Sequence, residues 1–122
     1  TPTTDPHAGT PTIGTPNGAN NVASVAFLSN SAKTDRAMRI RVTAGAGNIV
    51  AGTDIVSITF ASEWKDALGT PVTPAIICSQ GAYASASSST GFTIQLGTGI
   101  PTTQVQDFSI IVSGGGSGNS NS

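Results

Sequence analysis

Charge is scarce in this 122-residue chain: 9% of its residues are Asp, Glu, Lys or Arg, five basic against six acidic, for a net charge of −1. A typical soluble domain carries about 25%. Binding to a polyphosphate or an anionic bilayer needs clustered cations, so neither nucleic acid nor a membrane surface is an expected partner. Aromatic residues make up only 5%, too few to interleave with cations in a single-strand groove. No apolar run approaches the ~20 residues of a membrane helix, and no charged-then-apolar signal opens the chain. Cys78 is the only cysteine, which excludes an internal disulfide and a multi-cysteine zinc site.

The single histidine, His7, lies in TPTTDPHAGTPTIGTPNG, where Pro and Gly recur every few residues. Such a segment is expected to run as an extended arm with His7 in solvent. Asp35, Asp54 and Asp66 lack the dense oxygen-ligand spacing of a calcium loop, so no metal site is expected. Nucleophilic and acid–base chemistry ordinarily uses a histidine, a reactive cysteine or paired carboxylates held together. With none of these in a recognisable pattern, we expect no enzyme activity, no catalytic residue and no cofactor. Cys78, between Ile77 and Ser79, reads as a buried, inert thiol.

Small and hydroxylated residues are abundant, and they divide the chain into three zones. Residues 1–20 form the Pro/Thr/Gly-rich arm, residues 21–113 a single domain, and residues 114–122 (GGGSGNSNS) a flexible tail. The first residue is Thr, as expected of a processed product or an excised piece.

Within the domain the side-chain period is two. Phe92, Ile94 and Leu96 alternate with Thr93 and Gln95; Val56, Ile58 and Phe60 with Ser57 and Thr59; Met38, Ile40 and Val42 with Arg39 and Arg41. Phe108, Ile110 and Val112 share a face in DFSIIVS, while NVASVAFLS, PAIICS and the weaker AYASASSS complete the strands. Dense β-branched residues and Gly oppose helix. The one exception is SEWKDALG, where Ser62 could cap one or two turns that Gly69 would end. The expected fold is all-β: a single β-sandwich of seven or eight short antiparallel strands.

Two strands are apolar on both faces, at Ile76-Ile77-Cys78 and Ile110-Ile111-Val112. Either both faces are covered within the sandwich or a neighbouring subunit supplies the second cover. A body of roughly 90 residues buries only about 60–65% of its unfolded surface and would gain from association.

The order of GTPTI (9–13), TDRAMRIRVTAGAG (34–47), IVSITFAS (55–62), TPAIICS (73–79), AYASASSSTGFTIQLG (82–97) and DFSIIVSG (107–114) resembles a module at the ends of phage and viral tail fibres and head fibres. It departs from that family at Arg36-Ala37-Met38, in the longer SEWKDALGTPV segment, and at Asp107-Phe108-Ser109. The resemblance implies a jelly-roll-like sandwich, association as a homotrimer, and a place on the virion exterior as fibre, knob or capsid decoration. It implies other virion proteins, and a host-surface glycan, as partners, and brings no catalytic motif.

On that basis Phe27, Leu28, Ile76 and Ile111 are candidates for a subunit interface. The charged stretch Glu63-Trp64-Lys65-Asp66 offers a different use. An exposed Trp64 would stack on a sugar ring while Glu63 and Asp66 bond hydroxyls, with Tyr83 in a similar role. Trp64 suits equally a subunit anchor or a lid over the sandwich end. The glycan use corresponds to an alternative identity, a carbohydrate-binding or adhesion module of an extracellular or cell-surface protein. Arg39 and Arg41 share a strand face, where pairing with Asp35, Asp54 or Asp107, or solvation, is favoured over an anion site.

Overall fold

A computed structural model of the chain describes residues 6–29, 31 and 33–113. The expected flexible tail at 114–122 and the first five residues of the arm lie outside the described residues. The eight strands are β1 (Thr12–Ile13), β2 (Val22–Phe27), β3 (Ala37–Ala44), β4 (Val56–Thr59), β5 (Ala75–Cys78), β6 (Ala82–Ser87), β7 (Gly91–Leu96) and β8 (Val105–Ser113). They form two four-stranded sheets, ordered β1-β4-β7-β6 and β2-β3-β8-β5, with every pairing antiparallel. The expectation of an all-β sandwich of short antiparallel strands is met.

Alternation explains the layers. Met38, Ile40 and Val42 of β3 and Phe108, Ile110 and Val112 of β8 are buried from one sheet; Val56, Ile58, Phe92, Ile94 and Leu96 are buried from the other. Cross-strand pairing keeps these sets in phase, with Ile40 opposite Phe108 and Ile58 opposite Phe92. β2 looks out of phase, because Val22 and Val25 are three residues apart yet both are buried. A register shift between Val22 and Ser24 resolves it: Ala23 is the extra residue of a bulge, so Val22 faces Ala44 while Val25 faces Val42. Ser85 plays the same part in β6, between Ala84 and Ala86.

β5 passes to β6, in the opposite sheet, through Ser79–Ala82. Gln80 and Gly81 both have positive φ, 58° and 79°, and Ala82 N–H donates to the Ser79 carbonyl at 3.1 Å. This is a tight two-residue turn with both central residues in the left-handed region, which Gly81 adopts without strain. The short helix expected over Ser62–Gly69 does not form. Lys65 bridges to Pro71 instead, Asp66 N–H donates to the Thr70 carbonyl, and the Asp66 carboxylate accepts from the amides of Leu68 and Thr70. Asp66 satisfies the backbone of a tight turn more completely than the start of a two-turn helix would. No helix among the described residues is long and apolar enough to cross a membrane.

Candidate functional site

The arm is attached to the sandwich. Thr12 and Ile13 pair with Thr59 and Ile58 at the edge of β4, and the line continues through Gly14 N–H to the Ser57 carbonyl and Asn17 N–H to the Ile55 carbonyl. At its start, Pro6–Ala8 makes a single 3-10 turn. His7 there is wholly buried, which corrects the expectation of a solvated side chain. Its ring lies flat on Trp64, centroids 3.6 Å apart and planes 7° from parallel. His7 Nδ1 is 3.2 Å from Asp35 Oδ2, within reach of an Nδ1–H donated to the carboxylate.

Asp35 organises this cluster although it too is 0% exposed. Its carboxylate accepts the amides of Ala61 at 2.7 Å and Ser62 at 3.0 Å, and its own N–H donates to the His7 carbonyl at 3.1 Å. A buried carboxylate is tolerated only when its oxygens are satisfied in this manner. Trp64 is the largest fully buried side chain. Phe60 meets it edge-on at 5.9 Å, and the Arg36 guanidinium carbon lies 5.2 Å from its ring centroid. Trp64 Nε1 has no hydrogen-bond partner among the described residues, so packing and ring contacts carry its burial. A histidine–carboxylate pair is half of an acid–base apparatus, but here both side chains are closed off from solvent, and the geometry serves as a clasp for the arm.

Full burial of Trp64 rules out a sugar platform and fits the alternative of a packing lid over the sandwich end. Its neighbours are also occupied. Ser89 Oγ donates to Glu63 Oε2 at 2.7 Å, and Asp66 closes the turn described above. Tyr83 is exposed and donates its hydroxyl to Gln95 Oε1 at 2.9 Å, while Gln95 Nε2 donates to Asp54 Oδ1 at 2.8 Å. Exposed Tyr83 and fully buried Trp64 do not form one surface. The Trp64 amide donates to the Ser89 carbonyl at 2.9 Å. The outer face of this sheet is a carpet of hydroxyls, with Ser57 and Thr93 bonded at 2.8 Å beside an open depression of about 290 Å³ lined by Thr59, Ser87, Ser88 and Thr90.

The other sheet presents a different outer face. Ile77 and Ile111 stand directly opposite each other on β5 and β8, 64% and 50% exposed. Of the four residues expected at a subunit interface, Ile111 is exposed, whereas Phe27 and Ile76 pack partly buried against the core and Leu28 is half-buried. The uninterrupted run Ala75-Ile76-Ile77-Cys78 gives no alternation from which to phase the strand, so the sequence does not distinguish Ile77 from Ile76. Further along the face, Arg41 grips Asp107 with two bonds, 2.8 and 3.2 Å. That hydrogen bond and the charge of the pair hold the Asp107 carboxyl below its ordinary range, and the same contact raises Arg41. Arg39, on the same face, is exposed. Burial pushes the Cys78 thiol up to about 11. Asp35, Asp54 and Asp66 have separate tasks, Asp35 in the clasp, Asp54 under Gln95 and Asp66 in its turn. Compared with protein-family models, curated proteins and solved structures, the chain gives no match.

Proposed function

We propose that the protein is a non-enzymatic structural module that assembles with copies of itself, as a trimer, on the exterior of a virion as a fibre, knob or capsid decoration. The observation that carries the assembly part is the Ile77–Ile111 pair, two large aliphatic side chains side by side on an outer sheet face. Single exposed apolar residues are ordinary, but a contiguous pair beside an edge strand is a surface suited to covering by another subunit. The hydroxylated outer face of the opposite sheet suits the solvent side of such an assembly, and the tail-fibre and head-fibre resemblance supplies the virion setting. Other virion proteins and a host-surface glycan are partners in this reading.

The test is native mass by light scattering for the unaltered chain and for Ile111→Asp. Assembly predicts an oligomer that Ile111→Asp dissociates into folded monomers; a monomeric unaltered chain at high micromolar concentration would refute it. The adhesion reading keeps one specific support, the exposed Tyr83 ring beside the Gln95–Asp54 pair. Glycan binding lost in Tyr83→Ala with the native mass unchanged would favour it.

A further inference from the structure

We infer that Asn17 is a site of spontaneous covalent modification. Its side-chain amide cyclises onto the Gly18 nitrogen and hydrolyses to aspartate or isoaspartate, which unfastens the arm where it joins the sandwich.

Asn17-Gly18 is the only Asn-Gly pair in the chain. Glycine has no Cβ to shield its nitrogen and adopts the backbone angles that ring closure requires. The other described asparagines, Asn20, Asn21 and Asn48, precede Asn21, Val22 and Ile49, whose side chains shield the attacking nitrogen. Asn20 is also buried, with both ends of its amide bonded to the Val50 backbone at 3.2 and 2.9 Å. Gly18 is exposed and nothing lies within 4 Å of an added Cβ, so water reaches this peptide. As the first residue of the 3-10 turn Gly18–Asn20, it has an N–H without an intrahelical acceptor. In the closed turn the half-buried Asn17 is held at both ends: Oδ1 accepts from the Ala19 amide at 3.2 Å, and Nδ2 donates to the Asp54 carbonyl at 2.8 Å. Cyclisation therefore starts from an opened turn, and a single short 3-10 turn at the surface opens at little cost.

The Gly18 nitrogen gives its proton to hydroxide and attacks Asn17 Cγ. The N–Cγ bond forms, the Cγ–Nδ2 bond breaks, and the nitrogen leaves as ammonia with a proton from water. Water then opens the five-membered imide at one carbonyl or the other, leaving aspartate on the ordinary backbone or isoaspartate with the chain running through the side-chain carbon. Either product loses the Nδ2 donor. A carboxylate oxygen then faces the Asp54 carbonyl, acceptor against acceptor. It also joins the Asp54 side chain at an open depression of about 340 Å³ lined by Thr15, Asn17, Asp54 and Ser57, where like charges repel. Isoaspartate adds a main-chain atom between the Asn17 N–H, bonded to the Ile55 carbonyl at 2.9 Å, and the Asn17 carbonyl, which accepts from Asn20 and Val22 at 3.1 and 3.2 Å. One residue thus ties the arm to the β4 edge and to the start of β2, and the modification strains both ties.

The test is incubation of the folded full chain in mildly alkaline buffer, with peptide mapping by mass spectrometry, an isoaspartate-specific methylation assay and urea denaturation at intervals. Conversion at Asn17 should precede any at Asn20, Asn21 or Asn48, and the urea midpoint of the converted fraction should fall. Gly18→Ala, whose added Cβ meets nothing in the fold, should abolish both changes. Conversion of another described asparagine first, or a folded chain that keeps the Asn17 amide while the same chain in urea loses it, would overturn the site. A converted fraction with the midpoint of the fresh protein would overturn the unfastening. Should Gly18→Ala fail to fold, Asn17→Asp carries the second half: a lowered midpoint supports it, and an unchanged one refutes it.

Discussion

Asp35 is the most informative residue to remove. In Asp35→Ala the amides of Ala61 and Ser62 lose acceptors at 2.7 and 3.0 Å, and His7 loses the carboxylate 3.2 Å from Nδ1. Each stranded donor costs about 1–3 kcal/mol when buried. Ala61 is exposed and Ser62 half-buried, so water relieves part of this and the low end applies, for a total of about 3 kcal/mol. That is a large share of the ~5–15 kcal/mol that holds a domain folded, and it lowers the melting temperature by roughly 10–20 °C. Asp35→Asn keeps one acceptor oxygen and should lose about half as much. Urea denaturation followed by Trp64 emission and by far-ultraviolet circular dichroism measures both. Trp64 emission should also shift in the folded variant, because the imidazole stacked on it loses its carboxylate neighbour. An Asp35→Ala protein within about 0.5 kcal/mol of the unaltered chain, a change typical of an ordinary surface site, would refute the clasp.

Gly91→Ala places a Cβ against the Ile58 carbonyl at the β4–β7 contact and should cost about 1–3 kcal/mol, whereas Gly18→Ala meets nothing and should leave the denaturation midpoint unchanged or raised. Cys78, with its thiol pushed up to about 11, should be alkylated by iodoacetamide at pH 8 about two orders of magnitude more slowly than a free cysteine, since the thiolate is the nucleophile; a free-cysteine rate would refute its burial. Asp107 carries a depressed pKa through Arg41, so the stability it adds is present above the unfolded carboxyl's pKa and is lost as pH falls through the lower folded value. Carbon-detected NMR should show Asp107 titrating below the usual range, and Arg41→Ala should move that midpoint upward.

The sandwich was legible because alternation is a local property: β3, β7 and β8 each show their buried face within six or seven residues of sequence. β1 was not, since two paired residues in a Pro/Gly-rich segment carry no period. The clasp was illegible for a related reason. His7, Asp35 and Trp64 meet only through tertiary structure, 28 and 29 residues apart in turn, and an arm-like composition says nothing about what its one histidine touches. The short helix failed because Asp66 serves two amides in a turn, a competition that helix signals alone do not weigh. At the outer face, Ile111 could be picked out by its place between Ile110 and Val112, but the four-residue apolar strand β5 concealed which isoleucine points outward.

In the proposed assembly the Ile77–Ile111 face is covered by another copy of the chain. Sedimentation equilibrium of the unaltered protein beside Ile77→Asp/Ile111→Asp tests it most directly. A trimer gives about 36 kDa, three times the 12.1 kDa chain, for the first and a folded 12.1 kDa monomer for the second. Equal masses for the two proteins would contradict it.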